Sequence, residues 1–178
     1  MRFSTVYRIL GILLMVFSCT MLPPIAVSLY YHDQQFFAFF DAFLLTLGIG
    51  LVIWFPVRHK RKELRVRDGF IVTALFWLVL SLSGSIPLYL SDQPDLRFVD
   101  AYFESLSGLT TTGATVITGL DSLPPSILWY RQQLQWFGGM GLIVLAVAIL
   151  PMLGIGGMQL YRTEAPGPVK DTKLTPRI

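Results

Sequence analysis

Four stretches of this chain carry almost no charge, and each is long enough to limit what it can become. Between Arg8 and Asp33 there is no Lys, Arg, Asp or Glu, and between Asp33 and Arg58 only Asp41 intervenes. The intervals Asp68–Asp92 and Arg131–Arg162 are likewise uncharged. A helix needs roughly 20 predominantly apolar residues to cross the hydrocarbon core of a bilayer. Composition agrees: 53% of the 178 residues are hydrophobic and 14% are charged, against roughly 25% charged in an average soluble domain. So little charge cannot cover a water-facing surface. The sequence predicts an all-α membrane protein with four transmembrane helices.

The basic residues are placed by topology, so the net charge of +3 is not a nucleic-acid signature. Arg58, Lys60, Arg61, Lys62, Arg65 and Arg67 crowd the short connector after the second span. Arg2 and Arg8 precede the first span, and Arg162, Lys170, Lys173 and Arg177 follow the last, while the loop around Tyr31–Gln35 has no Lys or Arg. The positive-inside rule then puts both termini and the connector in the cytoplasm. A basic patch for nucleic acid or anionic lipid is the competing reading of 58–67. The single cysteine, Cys19, excludes an intrachain disulfide and a clustered metal site. Its context loosely resembles a lipoprotein cleavage site, but Phe17 is bulky and the apolar run continues to Tyr31, which favours an uncleaved helix.

Along the chain, Pro23-Pro24 predict a kink or early end in the first span. Asp41 lies near the outer interface, where it can stay hydrated or pair. After the third span, Pro94 breaks a polar bend at residues 91–95. Val99–Leu109 then reads as a short helix with Val99, Phe103, Leu106 and Tyr102 on one face and Asp100 in its first turn. Its eleven residues reach only about 16 Å, roughly half the hydrocarbon core. Pro124-Pro125 reset the direction for a fourth helix from about Ser126 to Leu150, whose Gly138-Gly139-Met140-Gly141 suits close helix packing or a local bend. Pro151 and Gly154–Gly157 are expected to end it.

Between the half-length helix and the fourth span lies Thr110-Thr111-Thr112-Gly113-Ala114-Thr115, polar and without an ionisable group. Non-helical backbone is tolerated at membrane depth only where it is buried in protein or lines water. If extended, Thr110, Thr111, Thr112 and Gly113 can aim consecutive carbonyls at an axis, as a dehydrated cation requires. The C-terminal end of the preceding helix adds partial negative charge. Spacing alone leaves two readings: an ion-selectivity filter, or an ordinary outer loop after an interfacial helix.

Phe103–Thr115 resembles the first filter motif of the Trk/Ktr superfamily of potassium transporter membrane subunits. Leu134–Gly141 is similar to the helix that follows that filter, and Gly154–Arg162 and Glu164–Pro168 resemble the cytoplasmic exit of the same unit. The likeness covers essentially the whole chain and is closest to the Trk subunits of Gram-negative bacteria. It implies potassium translocation across the bacterial inner membrane, with filter oxygens from Thr110–Gly113 and with Thr111 and Thr112 as first-choice potassium ligands. It further implies a re-entrant pore helix and filter loop between the third and fourth spans, preceded by two leading helices. A cytosolic nucleotide-binding regulatory subunit is the implied partner besides the lipid bilayer. Potassium is the transported ligand, and no cofactor is expected.

The resulting organisation is two leading helices over residues 1–57, a basic connector over 58–68, a helix–loop–helix repeat over 69–157 and a tail over 158–178. Members of the superfamily carry four such repeats around one pore, whereas one filter motif occurs here. The expectation is therefore the N-terminal portion of a transporter, needing the remaining repeats or further copies of itself; the alternative is a truncated, non-conducting subunit with an assembly role. No enzyme is expected: His32 and His59 fall on opposite membrane sides, and no nucleophile–base pair stands out. Asp100 and Glu104, four apart, are expected to serve as helix-start charge and to face an extracellular vestibule.

Overall fold

A computed structural model describes residues 3–58 and 66–152, and every element in them is helical. The expectations for residues 59–65 of the connector, His59 included, and for 153–178 lie outside the described residues. The elements are α1 (Phe3–Ser18), α2 (Leu22–Tyr31), α3 (Phe36–Trp54), α4 (Val66–Leu90), α5 (Phe98–Leu109) and α6 (Pro125–Met152), with short 3₁₀ turns at Cys19–Met21, Phe55–Val57 and Leu120–Ser122. Three segments among the described residues are long and apolar enough to cross a membrane: Ser4–Tyr31, Phe36–Val57 and Thr73–Leu90. The chain divides into two compact units, Met1–Leu142 and Ile143–Ile178. Within the second, the described part is the helical stretch of α6 up to Met152.

The interruption predicted at Pro23-Pro24 falls one turn earlier, as the 3₁₀ turn at Cys19–Met21. The reason is the missing proline N–H groups, which would have bonded the carbonyls four residues back. The Cys19 carbonyl is taken instead by the Leu22 N–H, three residues on. The Thr20 carbonyl, which Pro24 cannot serve, accepts a 2.8 Å hydrogen bond from Gln133 Nε2 of α6. A backbone break in the first span thereby becomes a tie to the last helix.

Helices in lipid gain little from burying apolar surface against each other, so close packing through small residues has to hold them. α1 and α3 meet in this way: a Cβ on Gly11 would lie 2.9 Å from the Gly50 carbonyl oxygen, and one on Gly50 would lie 3.0 Å from the Gly11 oxygen. The core above this crossing joins Leu14, Phe17, Phe39, Leu80, Ile127 and Tyr130. Tyr130 is fully buried. Its ring meets Phe39 edge-on at 5.3 Å, and its hydroxyl donates to the Gly84 carbonyl at 2.9 Å, the partner that a buried phenol requires.

At one end of the bundle the α2–α3 turn is knitted to the starts and ends of later helices. Asp33 Oδ1 accepts from Ser28 Oγ at 2.5 Å and from the Gln35 N–H at 3.2 Å. Its Oδ2 accepts from the Ser126 N–H at 3.0 Å, so a residue 93 positions away caps the first turn of α6, whose N–H groups have no partner within the helix. Burial pushes the Asp33 carboxyl up, but the donors from Ser126, Ser28 and Gln35 outweigh it and hold the group below the ordinary carboxylate value. Nearby, Ser91 Oγ lies 2.7 Å from Gln35 Oε1 and ties the end of α4 to the same turn.

Candidate functional site

α5 is twelve residues long, or about 18 Å at the usual rise. It starts after Arg97, whose Nε lies 3.2 Å from Asp100 Oδ2 in the first turn. Its buried side carries polar residues that a soluble helix would expose. Val99 and Phe103 are exposed, whereas Ala101, Glu104, Ser105, Ser107, Gly108 and Leu109 are buried. The polar Glu104, Ser105 and Ser107 therefore pack inside the chain beside Ala101 and Leu109, while Val99 and Phe103 face outward.

The end of α5 is a Schellman cap. The Thr111 N–H bonds the Gly108 carbonyl at 2.9 Å, and the Thr112 N–H bonds the Ser107 carbonyl at 2.9 Å, the paired 5→2 and 6→1 pattern of that motif. The left-handed residue the motif requires is Thr111, at φ +56°. Glycine is usual there, and a β-branched side chain in that region is an outlier of the kind found at functional sites. Gly113 follows at φ +73°. The loop is thus curled at Thr110–Thr111, where extension was the condition for a continuous row of carbonyls. Thr110 Oγ1 bonds the Leu106 carbonyl at 2.8 Å and Thr112 Oγ1 at 2.8 Å. All residues from Thr110 to Val116 are exposed.

Two side chains on one face of α5 suspend the rest of the loop. Ser107 Oγ donates to the Ala114 carbonyl at 2.6 Å. Glu104 Oε1 accepts from Thr115 Oγ1 at 2.6 Å and from the Val116 N–H at 2.7 Å. The other carboxylate oxygen, Oε2, accepts from Arg131 Nε at 3.1 Å and Nη2 at 2.9 Å. Only 1% of the Glu104 side chain is exposed. The expected place of Glu104 in an open vestibule is therefore corrected: Glu104 turns inward because α6 supplies a cation and the returning loop supplies two donors. Asp95 and Asp121 are exposed.

α6 forms the wall behind the loop. Gly138 touches the end of α5 so closely that an added Cβ would fall on the Leu109 carbonyl, 2.7 Å from its carbon. Gly139 and Gly141 are far looser, each with a nearest contact of 3.9 Å. The Gly138–Gly141 run is thus a packing surface, and its first glycine is the strict one. Thr110, Thr111, Trp77, Leu109 and Gly138 line an open cavity of ≈ 240 Å³. On the other side of the loop, a polar cavity of ≈ 20 Å³ lies among Glu104, Ser107, Ala114, Arg131 and Gln135.

The four residues singled out from sequence, Thr110, Thr111, Thr112 and Gly113, therefore stand together on one exposed turn at the tip of α5. The Glu104–Arg131 pair and the Thr111 geometry were not read from the sequence. Arg131 lies 27 positions from Glu104, and nothing local marks the two as partners. Among the described residues, no group of three or more His, Cys, Asp or Glu side chains could hold a metal ion.

A family model described as TrkH, cation transport protein, matches residues 35–178. The Trk system potassium uptake protein TrkH of Halomonas elongata is 63% identical over 178 residues, covering 100% of this chain and 37% of that protein. The protein of the same name from Escherichia coli K12 is 56% identical with the same coverage. The crystal structure of the potassium transporter TrkH from Vibrio parahaemolyticus superposes with a TM-score of 0.84 at 56% identity, covering 88% of this chain and 34% of that one. The chain spans 37% of the length of the two curated relatives.

Proposed function

The chain belongs to the TrkH family of cation transport proteins, and from that premise we propose that it supplies the first of four filter loops of a potassium uptake transporter. In this reading α6 is the fourth membrane span, and α5 is a re-entrant pore helix between the third and fourth. Residues 1–57 are the leading helices, 58–68 the basic cytoplasmic connector, 69–157 the helix–loop–helix repeat and 158–178 a cytoplasmic segment. The placement of Lys and Arg supports cytoplasmic termini in the inner membrane of a bacterium.

The observation that carries the reading is the tip of α5. A helix about half a bilayer long ends in an exposed turn of Thr110, Thr111, Thr112 and Gly113. Backbone carbonyls of that turn, foremost those of Thr111 and Thr112, replace the water shell of potassium. The helix C-terminus behind them favours a cation. One loop provides one quarter of a ring, so conduction requires the remaining repeats or further copies of the unit. The outward apolar face of α5, with Val99 and Phe103 exposed, suits contact with such neighbours or lipid. The basic segments suit docking of a cytosolic nucleotide-binding regulatory subunit.

The test joins this chain to the remaining repeats of its Vibrio parahaemolyticus relative and measures potassium flux into liposomes. Potassium-selective flux is expected, with Gly113→Ala impairing it, because the φ of +73° at Gly113 disfavours a Cβ. A Gly113→Ala chimera with unchanged potassium-over-sodium discrimination would refute the filter assignment. If the wild-type chimera assembles without flux, the chain is a non-conducting assembly subunit.

A further inference from the structure

We propose that Glu104 and Arg131 are positioning residues that set the height of the filter loop, with the carboxylate acting as a clamp between α6 and the returning limb at Thr115 and Val116. The proposal rests on the reading of Thr110–Gly113 as a filter, but the clamp has a readout of its own.

The geometry gives the pair more than charge balance to do. A buried ion pair serving only to neutralise itself would leave the loop to other contacts. Here one carboxylate oxygen is given wholly to the loop and the other wholly to Arg131. Hydrogen bonds to a charged acceptor are roughly twice as strong as neutral ones, and Glu104 makes two of them to an otherwise exposed segment. Thr115 extends the hold one step further, because its Oγ1 also accepts from the Ile117 N–H at 3.1 Å. The first buried residue after the loop, Ile117, is thereby fastened to the same carboxylate.

Among the described residues, the loop's other hydrogen bonds to a helix go to α5 alone, that of the Thr110 hydroxyl to the Leu106 carbonyl included. The others are the cap at Ser107 and Gly108 and the Ser107 hydroxyl on Ala114. Glu104 is the point at which the loop is referenced to a second helix, through a guanidinium whose two donors converge on one oxygen. Two helices hold the outer limb more rigidly than one, since rotation of α5 about its own axis is then resisted by α6. The carbonyls of Thr111–Gly113 hang between the α5 cap and this limb, so a shift at Thr115–Val116 must be absorbed within the filter turn.

The experiment has two arms. In the first, amide hydrogen exchange is followed on the full chain in nanodiscs, as wild type, Glu104→Gln and the double variant Glu104→Gln/Arg131→Gln. The Val116 amide is expected to exchange about tenfold faster in both variants, with the amides of Ala101–Ser105 unchanged. In the second, potassium-over-sodium selectivity is measured on the chimera with the remaining repeats, and it is expected to fall in both variants. The double variant removes both charges together. Full recovery of Val116 protection and of selectivity there would reduce the pair to charge balance and overturn the proposal. Unchanged Val116 exchange in Glu104→Gln would overturn it as well. Faster exchange with unaltered selectivity, in a chimera that Gly113→Ala does alter, would overturn the link from clamp to filter. If Gly113→Ala also leaves selectivity unaltered, the filter reading fails, and with it the claim that the clamp sets a filter.

Discussion

Replacing Gly138 by alanine asks the end of α5 to move. The new Cβ would fall on the Leu109 carbonyl oxygen, 2.7 Å from the carbonyl carbon and 3.0 Å from Cα. All three atoms are backbone, so no side chain can swing away, and the tip of α5 must retreat by roughly 1.5 Å to restore ordinary contacts of about 3.5–4.0 Å. Overpacking of this kind costs about 1–3 kcal/mol. Against it stands the gain of replacing a helical glycine by alanine, about 1 kcal/mol. The clash wins, by up to about 2 kcal/mol. At about 2–4 °C per kcal/mol for a chain of this size, the melting midpoint in detergent should fall by several degrees. Gly139→Ala is the internal control: its nearest contact is the Thr111 methyl at 3.9 Å, so the helix gain is unopposed and the midpoint should hold or rise. Both variants are read by thermal unfolding followed by circular dichroism, with potassium flux measured on the chimera. Equal midpoints for Gly138→Ala and wild type, with flux intact, would refute the account of how α5 and α6 fit together.

Thr111→Gly should raise stability by up to about 1 kcal/mol, because the strain of a β-branched residue at φ +56° exceeds the entropy that glycine adds to the unfolded chain; a lowered midpoint would mean Thr111 is not left-handed. Gln133→Leu leaves the Thr20 carbonyl without its donor and should cost about 1–3 kcal/mol. Adding Pro24→Ala restores a backbone N–H to that carbonyl, so a double-mutant cycle should show recovery, and strict additivity would contradict the assignment. Asp33→Ala should cost about 0.5–2 kcal/mol by uncapping α6. Since the folded Asp33 carboxyl titrates below its ordinary value of 3.8, the native state favours the charged form. That contribution is present above pH 3.8 and is lost as pH falls through the lower folded value. The difference between wild type and Asp33→Ala should therefore hold at neutral pH and shrink in acid, as unfolding midpoints across pH would show.

Much of the framework was legible because it depends on local pattern. Uncharged runs marked the three spans among the described residues, and Val99–Leu109 marked a short helix, observed as Phe98–Leu109. Of its predicted face of Val99, Phe103, Leu106 and Tyr102, Val99 and Phe103 are exposed while Leu106 and Tyr102 are half-buried. Hydrophobic periodicity alone does not say which side of a membrane helix is inside when the solvent is itself apolar. The pairs that fasten the site were not legible, because they join Glu104 to Arg131, Asp33 to Ser126 and Thr20 to Gln133 across 27, 93 and 113 positions. Thr111 was hidden for a different reason. Its side chain favours extended backbone, and the left-handed turn is imposed by the cap of α5 against that preference. Gly138 could have been singled out by asking which glycine of its run faces the helix tip, a question that needs the register of α6 on α5.

The most direct test of the central claim is anomalous diffraction from the completed transporter crystallised with rubidium in place of potassium. The account predicts an anomalous peak within coordination distance of the carbonyl oxygens of Thr111 and Thr112, on the axis shared with the other repeats. A well-occupied rubidium site elsewhere in the pore, with nothing beside Thr110–Gly113, would contradict it.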